Sequence, residues 1–199
     1  MLATNGKLFS ARGWLYELKY DGFRCLISKH RRVVRLESRN GNNMAPIPEL
    51  LADVEAIPHD FVADSELVVL DERGCPEWSR LTKRHAQRSA DRAKRAAAED
   101  PAALFLFDLL WLNGADLRER TLLQRKAALH GVLPGSGRIR YTNHFADSSR
   151  ELWAMANELE LEGIVAKRGD SVYAAGRTNS WVKVKTDVGM ERERARRPK

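Results

Sequence analysis

Between Trp14 and Arg24 apolar and charged side chains alternate, in the order Trp-Leu-Tyr-Glu-Leu-Lys-Tyr-Asp-Gly-Phe-Arg. A period of two has a physical meaning only in an extended strand, where successive side chains leave opposite faces. Trp14, Tyr16, Leu18 and Tyr20 then point to a core, and Glu17, Lys19 and Asp21 point away from it. Asp21-Gly22 supplies the turn that ends the run. The same rhythm returns near the other end of the chain, in Trp181-Val-Lys-Val-Lys185. There Lys183 and Lys185 share a face with Trp181, and Val182 and Val184 face inward.

Other strands are read at Phe23 to Ser28, Val33 to Glu37, Phe61 to Leu70 with a break near Asp64-Ser65, Leu104 to Leu112, and Gly163 to Ala166. Helices are read at Pro48 to Ile57, behind the capping box of Thr121 and Gln124 with Gly131 as its stop, and behind Ser148 and Glu151. The last of these carries Leu152, Met155 and Leu159 on one face. The pattern is an α+β fold with mostly antiparallel sheets.

Composition narrows the partners. The chain carries 34 Lys and Arg against 27 Asp and Glu, a net charge of +7, which favours polyanions. A basic stretch from Arg80 to Arg95 supplies Arg80, Lys83, Arg84 and Arg88 as candidate phosphate contacts, weighed against a merely solvated helical face. Two cysteines form no disulfide framework and no zinc spacing. The N-terminus lacks the apolar stretch of a signal peptide, and Ala102 to Leu112 is too short to span a bilayer. These features describe an intracellular, soluble protein with no membrane partner.

The chemistry lies in how lysines and carboxylates are distributed. Two ammonium groups at Lys183 and Lys185 repel unless an anion lies between them, and a phosphate is the natural one. Glu162 stands at the entrance of an apolar strand, and Asp64-Ser-Glu66 at another. Carboxylates beside a phosphate site suit magnesium, which takes one or two of them plus substrate phosphates. No GxxxxGK[ST] loop and no GxGxxG are present. The residues describe a nucleotide site of another kind.

Six segments together carry a resemblance. Lys19-Tyr-Asp-Gly-Phe-Arg24 resembles the KxDGxR signature of covalent nucleotidyltransferases. Ser38-Arg-Asn-Gly41, Asp64-Ser-Glu66-Leu-Val-Val-Leu-Asp71, Phe105-Leu-Phe-Asp-Leu-Leu-Trp-Leu-Asn-Gly114, Glu162-Gly-Ile-Val-Ala-Lys167 and Trp181-Val-Lys-Val-Lys185 are similar to the motifs that follow it, in the same order. The chain resembles the adenylation domain of ATP-dependent DNA ligases, especially the bacterial end-joining type. The resemblance implies an ATP-grasp-like nucleotidyltransferase fold, with antiparallel sheets flanked by helices.

It also implies roles. Lys19 is the nucleophile that becomes a lysyl-AMP, and Lys183 and Lys185 grip the α-phosphate. Asp21 and Asp64 match acidic positions of the later DNA steps, and Asp64 joins Glu162 as a metal candidate. Glu17 lies near the adenine amino group, and Arg24 and Glu66 hold the ribose. Phe107 stacks on adenine, with Ile164 or Val165 on its other face. Arg39 meets the 5′-phosphate of a nick. The implied cofactors are ATP and Mg²⁺ or Mn²⁺. The implied partners are nicked or broken duplex DNA and a separate OB-fold domain or end-joining protein, in the bacterial cytoplasm with the nucleoid. An RNA ligase, a capping guanylyltransferase and a weakly catalytic DNA-end-binding module are the alternatives.

The expected organisation is an N-terminal segment over 1–11, an adenylation domain over 12–187 and a charged, disordered tail over 188–199. Residues 186–199 are too few for the five-stranded OB barrel, so no OB-fold domain is expected in this chain. Ser65 stands where the family has glycine, which puts the local turn in question.

Overall fold

The computed structural model describes residues 1–196, and they form two units. The first takes in Met1–Tyr20, Glu119–Leu123 and the chain from Thr142 onward. Its strands are β1 (Leu2–Asn5), β2 (Trp14–Lys19), β9 (His144–Ala146), β10 (Gly163–Arg168) and β11 (Arg177–Lys185), and its helices are α5 (Ser149–Glu158) and α6 (Asp187–Arg196). The strands form one sheet in the order β1-β11-β10-β2-β9. All its pairings are antiparallel except β1 with β11.

Strands β2 and β10 are interior, so both of their edges are hydrogen-bonded. Leu15, Tyr16 and Glu17 are all buried, so over these residues alternation in β2 does not separate a core from solvent. Helix α5 packs on β10 and β2 through Leu152 and Ala156. Met155 and Leu159, expected beside Leu152, are exposed instead, since i+4 from Leu152 is Ala156. Ser148 sits at the N-cap of α5, but its hydroxyl donates to the Ala146 carbonyl and makes no capping bond.

The second unit, Asp21–Arg118 and Gln124–Tyr141, holds β3 (Phe23–His30), β4 (Val33–Ser38), β5 (Phe61–Val69), β6 (Ala102–Leu112), β7 (Ala115–Asp116) and β8 (Ile139–Tyr141). Its helices are α1 (Pro48–Glu55), α2 (Trp78–His85), α3 (Ala90–Glu99) and most of α4 (Leu122–Val132). The sheet order is β4-β3-β5-β6-β7, with β8 parallel to β6. The core gathers Ile27, Leu50, Val54, Phe61, Leu67, Leu104, Leu106 and Leu129. The apolar run of β6 ends at Asn113-Gly114, both at positive φ (46° and 96°), the backbone that suits a two-residue hairpin turn.

Four expectations change. The break foreseen at Asp64-Ser65 is a register shift inside a continuous β5. Helix α4 runs through Gly131 to Val132. The first segment is not separate, because β1 adds a strand beside β11. The tail foreseen as disordered is helical over Asp187–Arg196, and positions 197–199 lie outside the described residues. Thr186 accounts for that helix: its hydroxyl accepts from Gly189 N at 3.0 Å and donates to the Leu161 carbonyl at 2.6 Å.

Candidate active site

In the first unit the ladders settle which side chains share a face. Lys19 lies opposite Gly163, and Gly163 opposite Lys185. One step along, Glu17 lies opposite Val165, and Val165 opposite Lys183. Directly opposed residues share a face, as do residues two apart. Glu17, Lys19, Val165, Lys167, Trp181, Lys183 and Lys185 therefore stand on one face, drawn from three strands. Ile164 stands on the other, opposite Leu18 and Val184, and is fully enclosed. Of Ile164 and Val165, the alternatives for the face of adenine opposite Phe107, only Val165 is on the lysine face.

Glu162 closes the end of this face. Its Oε2 accepts from Lys19 Nζ at 2.5 Å and its Oε1 pairs with Lys185 Nζ at 2.7 Å. Gly163 makes this possible. Its φ of +146° suits glycine, and a Cβ there would lie 2.1 Å from the Val184 carbonyl oxygen. Lys185 also pairs with Glu193 of α6 at 3.3 Å. Lys183 has its pKa lowered from the ordinary 10.5, first by burial and then by the charges of Lys185 and Lys19. Three ammonium groups thus gather where one buried carboxylate serves two of them.

The other end of the face pairs Glu17 with Lys167, a residue given no role from the sequence. Lys167 donates to Glu17 Oε2 at 2.5 Å, both side chains being 3% exposed, and its ammonium lies 4.3 Å from the Trp181 ring centroid. Lys167 is two residues from Val165 in the same motif, so strand periodicity could have placed it on this face.

The second unit assembles a different set. Opposite Asp108 and Leu106, β5 offers consecutive residues Asp64 and Ser65, which leaves Phe107 as the extra residue of a bulge in β6. Bulges re-aim side chains, and Phe107 emerges partly exposed from a strand otherwise buried around it. The Arg24 guanidinium carbon lies 5.8 Å from the Phe107 ring centroid. Arg24 is opposite Glu66 in the ladder and grips Asp64 with two bonds, at 2.9 and 2.5 Å. Both Asp64 oxygens accept from the Arg24 guanidinium, so Asp64 holds Arg24 in place. Ser65 needs no special backbone. It lies in β5 without a positive φ, and its buried hydroxyl donates to the Cys25 carbonyl at 2.6 Å. Burial pushes the Cys25 thiol up to about 12. Gly22 is required by closeness, since a Cβ would lie 2.2 Å from the Leu67 carbonyl oxygen. Asp21 beside it is buried.

Arg39 is exposed in a turn after β4, closed by Gly41 N donating to the Ser38 carbonyl at 2.8 Å. The basic stretch divides between α2 and α3, and its members differ. Lys83 and Arg88 are exposed, and Arg80 pairs with Glu72 at 2.8 Å. Arg84, expected on the phosphate surface, is fully buried and gripped by Glu49 at 2.7 Å, which removes it from any external contact. Asp108 is likewise enclosed with Arg125 at 2.7 Å, both 0% exposed. Among the described residues no cluster of three His, Cys, Asp or Glu forms a metal cage, and no helix is long and apolar enough to cross a membrane.

A fold of this kind, with a lysine-rich sheet face and a KxDG lysine at the end of its strand, is that of a nucleotidyltransferase. Residues 2–185 match the ATP dependent DNA ligase domain, and the chain belongs to that family. It is 34% identical over 191 residues to the multifunctional non-homologous end joining protein LigD of Pseudomonas aeruginosa, covering 89% of this chain and 21% of the relative. It is 36% identical over 173 residues to a probable DNA ligase of Kineococcus radiotolerans, covering 85% of this chain and 33% of the relative. A solved mycobacterial DNA ligase D complexed with ATP and MES superimposes with a TM-score of 0.76 at 31% identity, over 92% of this chain and 58% of that one. The chain thus spans between 21% and 33% of the length of these two curated relatives.

Proposed function

We propose that this chain carries out the adenylation chemistry of a DNA ligase of the end-joining type. The observation that carries the reading is the gathering of Lys19, Lys183, Lys185 and Glu162 at one end of one sheet face. Lys19 Nζ, as a neutral amine, attacks the α-phosphorus of ATP. The bond from that phosphorus to the bridging oxygen breaks, pyrophosphate leaves, and the nitrogen loses its proton to give a phosphoramidate. Anything that draws Glu162 away from Lys19 leaves that ammonium beside Lys183 and Lys185, and like charges favour the neutral amine. Lys183 and Lys185 then stabilise the charge growing on the α-phosphate.

The donor set fits a hard divalent cation. Glu162 offers carboxylate oxygens, and the nucleotide would offer the rest. Mg²⁺ there would neutralise phosphate charge. Phe107 stacks on adenine, Val165 adds an apolar contact, and Arg24 and Glu66 hold the ribose. Glu17 accepts from the adenine amino group, kept an anionic acceptor by Lys167. AMP then passes to the 5′-phosphate of a break in duplex DNA, with Asp21 serving that later step, Arg39 meeting the phosphate, and Arg80, Lys83 and Arg88 giving sequence-independent contacts. Such a reaction belongs with bacterial chromosomal DNA in the cytoplasm.

Incubation with α-labelled ATP and Mg²⁺ tests the reading. An acid-labile adduct on Lys19 is expected, with none on the Lys19→Ala protein, little from GTP and none after chelation. An undiminished adduct in the variant removes Lys19 as nucleophile, and preferential labelling by GTP moves the chain to the guanylyl-transferring class.

A further inference from the structure

Helix α6 begins after the matched span of the family ends, and it is built onto the reactive face by bonds unlike those of a loose terminus. Thr186 N donates to the Glu162 carbonyl at 3.1 Å, and the Thr186 hydroxyl is shared between the Leu161 carbonyl and Gly189 N. Gly189 lies against the Glu162 backbone so closely that a Cβ would stand 2.1 Å from its carbonyl oxygen. A turn later, Arg192 Nη1 donates to the Glu160 carbonyl at 3.0 Å. The helix is therefore fastened at two levels across residues 160–162, the turn that delivers the carboxylate between Lys19 and Lys185.

Fastened in this way, α6 brings Glu193 to 3.3 Å from Lys185 Nζ. Glu193 also acts on Lys183, whose cationic form it favours. An anion carried by the chain itself thus stands against the two ammonium groups that, on the reading above, receive the α-phosphate. A carboxylate and a phosphate oxygen seek the same donors, and one ammonium has only three.

We propose that α6 is an internal competitor for the phosphate site, with Glu193 as the anion that an incoming phosphate must displace from Lys185. This rests on the assignment of Lys183 and Lys185 to phosphate. Glu193 is 39% exposed and its contact is longer than that of Glu162, so it holds Lys185 weakly and can be displaced. Removing a partly exposed pair of this kind changes an equilibrium roughly two- to fivefold.

The test measures binding and chemistry separately. Titration calorimetry with inorganic tripolyphosphate compares the parent protein, Glu193→Gln, and Glu191→Gln, which makes the same charge change at an exposed position of the same helix. Glu193→Gln is expected to bind about two- to fivefold more tightly, and Glu191→Gln to match the parent. Arg192→Ala, which frees the second fastening, should tighten binding in the same direction. Equal binding by parent and Glu193→Gln, or weaker binding by the variant, overturns the proposal. An equal gain in Glu191→Gln also overturns it, by making the effect one of net charge. In parallel, labelling by ATP should reach half-maximum at lower ATP in Glu193→Gln with an unchanged plateau rate. Tighter tripolyphosphate binding without an adduct in any variant would uphold the competition and sink the adenylation reading instead.

Discussion

Two carboxylates, one in each unit, are both held by cations, and they are held differently. In the second unit Asp108 meets a single guanidinium, that of Arg125, which fills both oxygens with one planar fork in full enclosure. In the first unit the oxygens of Glu162 go to two separate flexible ammonium groups, and one of those is shared again with Glu193. A fork binds or releases as a whole, so the buried Arg125 pair fixes shape. Independent ammonium groups release one at a time, so the lysine cluster can exchange a carboxylate for a phosphate without unfolding anything. The contrast separates charges that hold the fold from charges kept ready for a ligand.

The strongest way to break this contrast is to cut an arginine pair. Arg125→Met leaves Asp108 buried without its guanidinium, and such a change costs about 3–5 kcal/mol. Urea denaturation should show the loss, and adding Asp108→Leu should recover most of it. A variant as stable as the parent would mean that the pair does not hold this unit together. Lys185→Met should do the opposite. Its denaturation midpoint should stay close to that of the parent, while the rate of AMP labelling falls on the order of 100-fold, as for removal of a donor to a developing oxyanion. A large stability loss with labelling intact would erase the distinction.

A smaller effect sharpens it. Lys183 titrates below the ordinary 10.5, because burial and the charges of Lys185 and Lys19 make its cationic form costly. A depressed lysine binds fewer protons folded than unfolded in the window between its lowered value and 10.5, so its contribution to stability rises with pH there. Its grip on phosphate moves the other way and is lost as it discharges. The ATP concentration for half-maximal labelling should therefore climb within that alkaline window, and the climb should flatten in Lys183→Ala. An equally steep climb in the variant would assign the titration to another group.

Much of the reactive face could be read in the sequence. The period of two that puts Glu17 with Lys19, and Lys183 with Lys185, is a property of any strand, so it survives whatever the strand pairs with. The same rule could have set Lys167 beside Val165 and removed Ile164. Ser65 shows the limit of reading by resemblance. A glycine position suggests a special backbone, yet here the serine lies in a regular strand and its hydroxyl finds a carbonyl.

What remained hidden depends on register between distant segments. Lys19 and Glu162 are 143 residues apart, and only the ladder of β2 with β10 brings them together. Phe107 is aimed by a bulge, which exists only as a mismatch between two strands and leaves no mark on either one alone. Arg84 looks like its basic neighbours until packing places Glu49 beside it and encloses both, and a charge run cannot announce which member will be buried. The run after Lys185 reads as solvated by its charge, yet Thr186 and Gly189 fasten it as a helix. Local chemistry determined which residues could react. Long-range pairing decided which of them meet, because hydrogen-bond register and burial arise only when the whole sheet has closed.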